Sequence, residues 1–302
     1  MPRHFLDLRD LTKDDIAVIL SSARTLKLNR GRGDPNPLHE KALAMIFEKN
    51  STRTRVSFEV GMHELGGYAL VLKKEDLQLG RGETVADTAR VLSRYVHAMM
   101  LRAYHHATLV ELAQYASVPV INGLTDLLHP CQVMADLMTI EERLGGVNGK
   151  KVAWVGDGNN MANTWITAAQ KLGFTLHLAC PDRYPPHAEI LTAARASGAA
   201  ITLGNRPEDA VFEADVVVTD TWVSMGDDDT LTRKQAFYGF QVNAALMAKA
   251  KPQAVFLHCL PAHRGEEVSD EVLDGPQSAV WDEAENRLHV QKAILLWCLK
   301  EI

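Results

Sequence analysis

Short apolar runs alternate with longer amphipathic ones along this chain, and the alternation starts over partway through. Ala42 to Phe47 and Ala98 to Leu101 are apolar and of strand length, and Val118 to Ile121 is another such run. Arg55 to Leu65 and His106 to Ala116 carry their apolar residues at helical spacing, and a long helix is predicted from Pro130 to Leu144. After Gly145-Gly146-Val147-Asn148-Gly149-Lys150 the order begins again. Lys151 to Val155 reads as a strand, Asn160 to Leu172 as a helix ended by Gly173, and Leu176 to Ala179, Val216 to Thr219 and Ala254 to His258 as further strands. Strands joined through helices pair in parallel, because only a crossover returns the chain to the same end of a sheet. The expected fold class is therefore α/β, with two domains, each a parallel sheet flanked by helices. A chain of 302 residues, 46% of them hydrophobic, has the material for two cores.

Composition excludes several classes of function. A net charge of −6 argues against general nucleic-acid binding, so a basic cluster in this chain is a local site. No apolar run reaches the roughly 18 residues that cross a bilayer, and no membrane partner is expected. No signal peptide is expected either: Thr12 caps a helix whose Ile16, Ile19, Leu20 and Ala23 share one face. The four cysteines, Cys131, Cys180, Cys259 and Cys298, are too scattered for a disulfide framework and point to a reducing, cytoplasmic setting.

In open parallel sheets, ligands bind beyond the carboxyl ends of the strands. In the first half those ends lead to Ser51-Thr52-Arg53-Thr54-Arg55, to Arg102 and to His129. A strand, a polar turn and a helix start leave backbone N–H groups free, and the helix dipole favours an anion there. Guanidiniums and hydroxyls at such a turn suit a phosphate, although a capped helix with a solvated basic turn has the same composition. In the second half the strand ends lead to Asn159-Asn160, Asp220 and Cys259, a set suited to an amine. Two domains facing across a cleft would bring the sets together.

Each motif also has a plainer reading. His129-Pro130-Cys131-Gln132 fits an ordinary helix start with Pro in the first turn, or a His and Gln aimed at a polarised carbonyl. A metal there is the weaker reading, since no second ligand pair stands at the required spacing. His258-Cys259-Leu260-Pro261 offers a buried small hydrophobe or a nucleophile beside a His. Asp220 is a turn Asp or a partner for a cationic amine, and Ser224-Met225-Gly226 with the three aspartates behind it has the composition of a lid. Gly156-Asp157-Gly158-Asn159-Asn160-Met161 begins like a dinucleotide fingerprint but has Met161 where the third glycine belongs, which weakens the case for an NAD-dependent oxidoreductase.

Taken together, Ser51 through Arg55, His129 through Gln132, Asp220 through Gly226 and His258 through Pro261 resemble the ornithine branch of the aspartate/ornithine carbamoyltransferase family, in order and over essentially the whole chain. The resemblance implies a carbamoyl phosphate-binding domain at 1–146, an ornithine-binding domain at 147–286, and a C-terminal helix, 287–302, packing back on the first domain. It implies carbamoyl phosphate contacts at Ser51, Thr52, Arg53, Thr54, Arg102, His129, Gln132, Cys259, Leu260 and Arg287, with Gln78 donated by an adjacent chain. Ornithine contacts would be Asn160, Asp220, Ser224 and Met225, and the catalytic groups Arg102, His129, Asp220 and Cys259. The implied enzyme forms citrulline for arginine biosynthesis, uses no cofactor or metal and works as a homotrimer or a multiple of trimers. The runner-up is a carbamoyltransferase for another amine, such as acetylornithine or putrescine. A non-catalytic binding protein on the same scaffold is the third reading.

Overall fold

The computed structural model describes residues 2–32, 36–73, 82–223 and 230–302, the side chain of Thr230 excepted. The chain forms two compact units, Met1–Ala135 with Glu285–Ile302, and Asp136–Ala284.

In the first unit the strands are β1 (Ala42–Phe47), β2 (Tyr68–Lys73), β3 (Ala98–Arg102) and β4 (Val120–Leu124). Its helices are α1 (Lys13–Leu28), α2 (Thr52–Glu64), α3 (Val85–Leu92), α4 (His106–Tyr115) and the start of α5 (Pro130–Leu144). The strands form one parallel sheet in the order β2-β1-β3-β4. Every residue of β1 and β3 is buried, which is why these segments are continuously apolar and not alternating. Phe47 pairs with Arg102, so the strand ends that carry Ser51 and Arg102 are neighbours at the point where the strand order reverses.

The second unit holds β5 (Lys151–Val155), β6 (Thr175–Ala179), β7 (Ile201–Gly204), β8 (Val216–Thr219) and β9 (Val255–His258). Its helices are α6 (Asn160–Leu172), α7 (Ala188–Ala196), α8 (Pro207–Val211), α9 (Thr230–Ala236), α10 (Ala244–Met247), α11 (Asp270–Leu273) and the start of α12 (Val280–Leu299). The sheet is parallel in the order β7-β6-β5-β8-β9, again reversing direction beside its first strand. Its core joins Val155, Val217 and Phe256 of the strands to Phe237, Phe240 and Trp222.

Local sequence explains the element ends. Thr12 and Asp15 form a reciprocal capping box on α1. Ser51 caps α2 by accepting from Thr54 N, so the helix starts at Thr52, ahead of the Arg55 predicted from periodicity. Gly173 closes α6 in a left-handed conformation. The C-terminal part of α12 belongs to the first unit. Asn286 accepts from Lys27 Nζ at 2.7 Å, buried Lys292 pairs with Glu64 at 2.9 Å, and Trp297 Nε1 donates to Asp15 at 3.1 Å. No helix among the described residues is long and apolar enough to cross a membrane.

Candidate active site

In the first unit, the N-terminus of α2 presents Thr52, Arg53 and Thr54 directly after the Ser51 cap. Thr54 is fully buried, and its hydroxyl oxygen accepts from Arg287 Nη2 at 2.7 Å and lies 3.5 Å from Arg102 Nη1. Residues 48 and 233 positions away in the chain thus meet on one hydroxyl. Arg102 is carried by the end of β3 and Arg287 by α12, and both are buried. His129, buried just before α5, has its pKa held well below the ordinary 6.5 by burial first, then by the Arg287 and Arg102 guanidiniums. It is therefore a neutral imidazole, able to donate one hydrogen bond while carrying no charge of its own. Gln132, a turn further along α5, is also fully buried. Cys131 beside it donates to Asn122 O, and burial pushes its thiol up to about 12, so it is an inert small side chain and not a metal-binding thiolate. Arg55 points elsewhere: it is exposed and paired with Glu59.

The second unit gathers the ends of β5, β8 and β9. Asp220 Oδ1 accepts from Thr221 N at 2.8 Å and from the Cys259 thiol at 3.1 Å, while Oδ2 accepts from Asn159 Nδ2 at 2.9 Å. Burial first, and then the carboxylates of Asp220, Glu283 and Asp136, push the Cys259 thiol well above the ordinary 9.0. Cys259 is a protonated hydrogen-bond donor here, not a thiolate nucleophile. His258 is fully buried; its Nδ1 accepts from Leu260 N at 2.9 Å, which leaves the proton on Nε2, 3.1 Å from Glu267 Oε1. Asp220, His258 and Cys259 lie close enough to share a cation, but both imidazole nitrogens are already engaged. Leu260 itself has a φ of 56°, an uncommon value for a non-glycine residue.

The glycine loop of the second unit serves packing, not phosphate. A Cβ on Gly158 would stand 2.1 Å from the Pro185 carbonyl carbon, and the Gly158 N–H donates to Tyr184 O at 3.0 Å. The Met161 and Ala162 amides at the start of α6 are taken by Asn159 Oδ1. The N–H groups that would cradle a pyrophosphate are therefore occupied, which removes the physical basis of the dinucleotide reading. Within this loop, Asp157 forms an ion pair with Arg233, whose Nε also donates to Trp222 O at 2.6 Å.

The structure thus brings Thr54, Arg102 and Arg287 together, with His129 in their electrostatic field, and separately brings Asp220 and Cys259 together. Asn160 is the first residue of α6, half-buried next to Asn159. Gln78, Ser224, Met225 and the lid-like segment lie outside the described residues. Sequence reasoning missed Glu267, Glu283 and the amide of Asn159. Glu267 has no spacing signal, and Asn159 is hidden beside Asn160 as one of two identical neighbours.

An anion site of buried guanidiniums at a helix start, and a carboxylate–thiol pair on a second parallel sheet, are the equipment of a two-substrate group transferase. The family model for the aspartate/ornithine carbamoyltransferase carbamoyl-P binding domain matches residues 3–142, and that for the Asp/Orn binding domain matches residues 148–298. The chain belongs to the aspartate/ornithine carbamoyltransferase family and is an enzyme. It is 55% identical to an ornithine carbamoyltransferase of Rhodopseudomonas palustris, over 98% of this chain and 97% of that one. The solved ornithine carbamoyltransferase from Pyrococcus furiosus is 52% identical and superposes with a TM-score of 0.95, covering 100% of this chain and 98% of that one. The anabolic ornithine carbamoyltransferase from Campylobacter jejuni is 45% identical with a TM-score of 0.93, covering 99% and 100%.

Proposed function

We propose that this chain transfers the carbamoyl group of carbamoyl phosphate to the δ-amine of L-ornithine, releasing L-citrulline and phosphate in the biosynthetic direction. The observation that carries the reading is the buried Arg102–Thr54–Arg287 cluster at the start of α2, in a chain more than half identical to ornithine enzymes. Carbamoyl phosphate is a mixed anhydride with an activated carbonyl, so the reaction needs a cradle, oxyanion donors and a neutral amine, with no cofactor. Ser51, Thr52, Arg53 and Thr54 hold the phosphate, with Gln132 and Arg287, and with Gln78 from a neighbouring chain. Arg102 and neutral His129 donate to the carbonyl oxygen as it gains charge; one such donor is worth ~3–4 kcal/mol of barrier. Holding both substrates in register contributes on the order of 7–11 kcal/mol.

Asn160, Asp220, Ser224 and Met225 bind ornithine. The C–N bond forms as the amine attacks, and the C–O bond to phosphate then breaks. The Cys259 sulfur already carries its proton and cannot take another, so the amine proton leaves on the departing phosphate, and Cys259 with Asp220 orients the nitrogen. We also propose a homotrimer working in the cytoplasm. The edge strand β2 exposes Tyr68 and Leu70 beside Val56 of α2, an apolar strip suited to a second copy, and β2 leads in sequence to Gln78. The four cysteines, all without disulfides, fit a reducing compartment.

The test compares Arg53→Ala with Arg264→Ala in a citrulline assay. Arg264 is 40% exposed and bound by Asp270 and Asp274, neither of which is assigned a role at the site. Arg53→Ala should lower kcat/KM for carbamoyl phosphate by roughly 100-fold or more, as loss of a charged transition-state donor does, with Arg264→Ala near wild type. Equal losses would remove the phosphate assignment.

A further inference from the structure

We propose that Asn159 is a positioning residue that locks the Asp220 carboxylate in the orientation needed for the amine substrate. The inference rests on the ornithine reading above and adds to it a residue that does not itself touch the substrate.

Asn159 occupies the turn between β5 and α6, half-buried, with extended backbone. Its side-chain oxygen accepts from Met161 N at 2.9 Å and Ala162 N at 3.2 Å. Two helix donors on one oxygen fix which end of the amide is which, so the nitrogen must face the other way. There it donates to Asp220 Oδ2 at 2.9 Å. A carboxylate can only accept, so no flipped arrangement satisfies both sides. Polarisation by the helix amides also strengthens the N–H as a donor.

Asp220 is held at both oxygens. Oδ1 takes Thr221 N and the Cys259 thiol, and Oδ2 takes Asn159. The Thr221 amide is the next residue in the chain and moves with Asp220. Cys259 belongs to the proposed reacting centre. Asn159 is the remaining contact, and it ties Asp220 at the end of β8 to the rigid start of α6, a 13-residue helix whose residues Met161–Ala169 are buried. Asn159 therefore sets the plane of the carboxylate and leaves its other lone pairs to an incoming amine. A capping role alone explains the oxygen contacts but not the bond to Asp220.

Two cap-competent substitutions separate these roles, because Ser and Asp cap a helix about as well as Asn. Asn159→Ser keeps a cap acceptor and removes the donor to Asp220. Asn159→Asp keeps the shape and the cap and places a second carboxylate against Asp220. Steady-state citrulline formation and thermal melting are measured for wild type and both variants. Asn159→Ser should lose about 10–100-fold in kcat/KM for ornithine, the range carried by a hydrogen bond to a charged group, with KM for carbamoyl phosphate within about twofold in a protein that still melts cooperatively. Asn159→Asp should lose at least as much in kcat/KM for ornithine, because a second carboxylate facing Asp220 repels it and turns its plane away. Wild-type ornithine kinetics in both variants would overturn the positioning role and leave the ornithine reading standing. Losses equal for both substrates would also overturn it. A wild-type protein that forms no citrulline would remove the ornithine reading and this inference with it.

Discussion

Thr54→Val tests the anion site with the least disturbance. Valine matches threonine in shape and removes only the hydroxyl on which Arg287 and Arg102 converge. The Arg287 bond at 2.7 Å is short and charge-assisted, worth about 1.5–3 kcal/mol. The Arg102 contact at 3.5 Å is at the limit of a hydrogen bond and adds little. If the hydroxyl holds the two guanidiniums in place for the ligand, its loss should raise KM for carbamoyl phosphate by about 10–100-fold. Because Thr54 is fully buried, leaving guanidinium donors short of an acceptor should also cost about 1–3 kcal/mol of stability. The assay is citrulline formation at saturating ornithine over a range of carbamoyl phosphate, with urea denaturation in parallel. A folded variant whose KM for carbamoyl phosphate stays within twofold of wild type would mean that the Thr54 hydroxyl does not hold the guanidiniums for the ligand.

Three further outcomes follow from the same geometry. His129 has a pKa well below 6.5 in the folded protein, so the unfolded chain takes up a proton that the native state refuses. Its contribution to stability is complete above about pH 6.5 and falls away as the pH drops from there toward the lowered folded value. Urea midpoints should decline over that window, and His129→Gln should flatten part of the decline, leaving the share of His4, His106, His177 and His289, whose shifts have the same direction. Gly158→Ala would drive a methyl into the Pro185–Pro186 backbone and should lower stability by about 1–3 kcal/mol or more, read as a depressed Tm. KM for ornithine should fall as the pH rises toward about 8–9, because an alkylamine with a pKa near 10.4 is otherwise mostly protonated; a flat profile with chemistry rate-limiting would contradict the neutral-amine requirement.

The central strands were legible because strands buried on both faces become uninterrupted apolar runs, as in Ala42–Phe47 and Val216–Thr219. The strands left unassigned, Tyr68–Lys73 and Ile201–Gly204, are both sheet edges with alternating exposure. Strand ends were a sound guide to polar clusters: Arg102, Asp220 and Cys259 all follow a parallel strand directly or terminate it. The partners of those residues were not legible. The meeting of Arg287 with Thr54 depends on the return of α12 to the first unit, which the family resemblance implies and local sequence does not, and Glu267 meets His258 only through the turn after Leu260. Local sequence also could not tell Asn159 from Asn160. The difference is which of the two caps α6, a question decided by backbone angles. The protonation state of Cys259 was equally hidden, because the carboxylates that raise it come from Asp136, Asp220 and Glu283, far apart in the chain.

The proposed function turns on selection of ornithine by the second unit. It is tested most directly by kcat/KM for citrulline-type product formation from carbamoyl phosphate with ornithine, acetylornithine, putrescine and aspartate. Ornithine is expected ahead of each competitor by about 100-fold or more, the discrimination that arises when a site is built to pair with groups the competitor lacks or alters. A preference for another amine would leave the anion site intact and overturn the assignment of Asp220, Asn160, Ser224 and Met225. No transfer to any of the four would contradict the account as a whole.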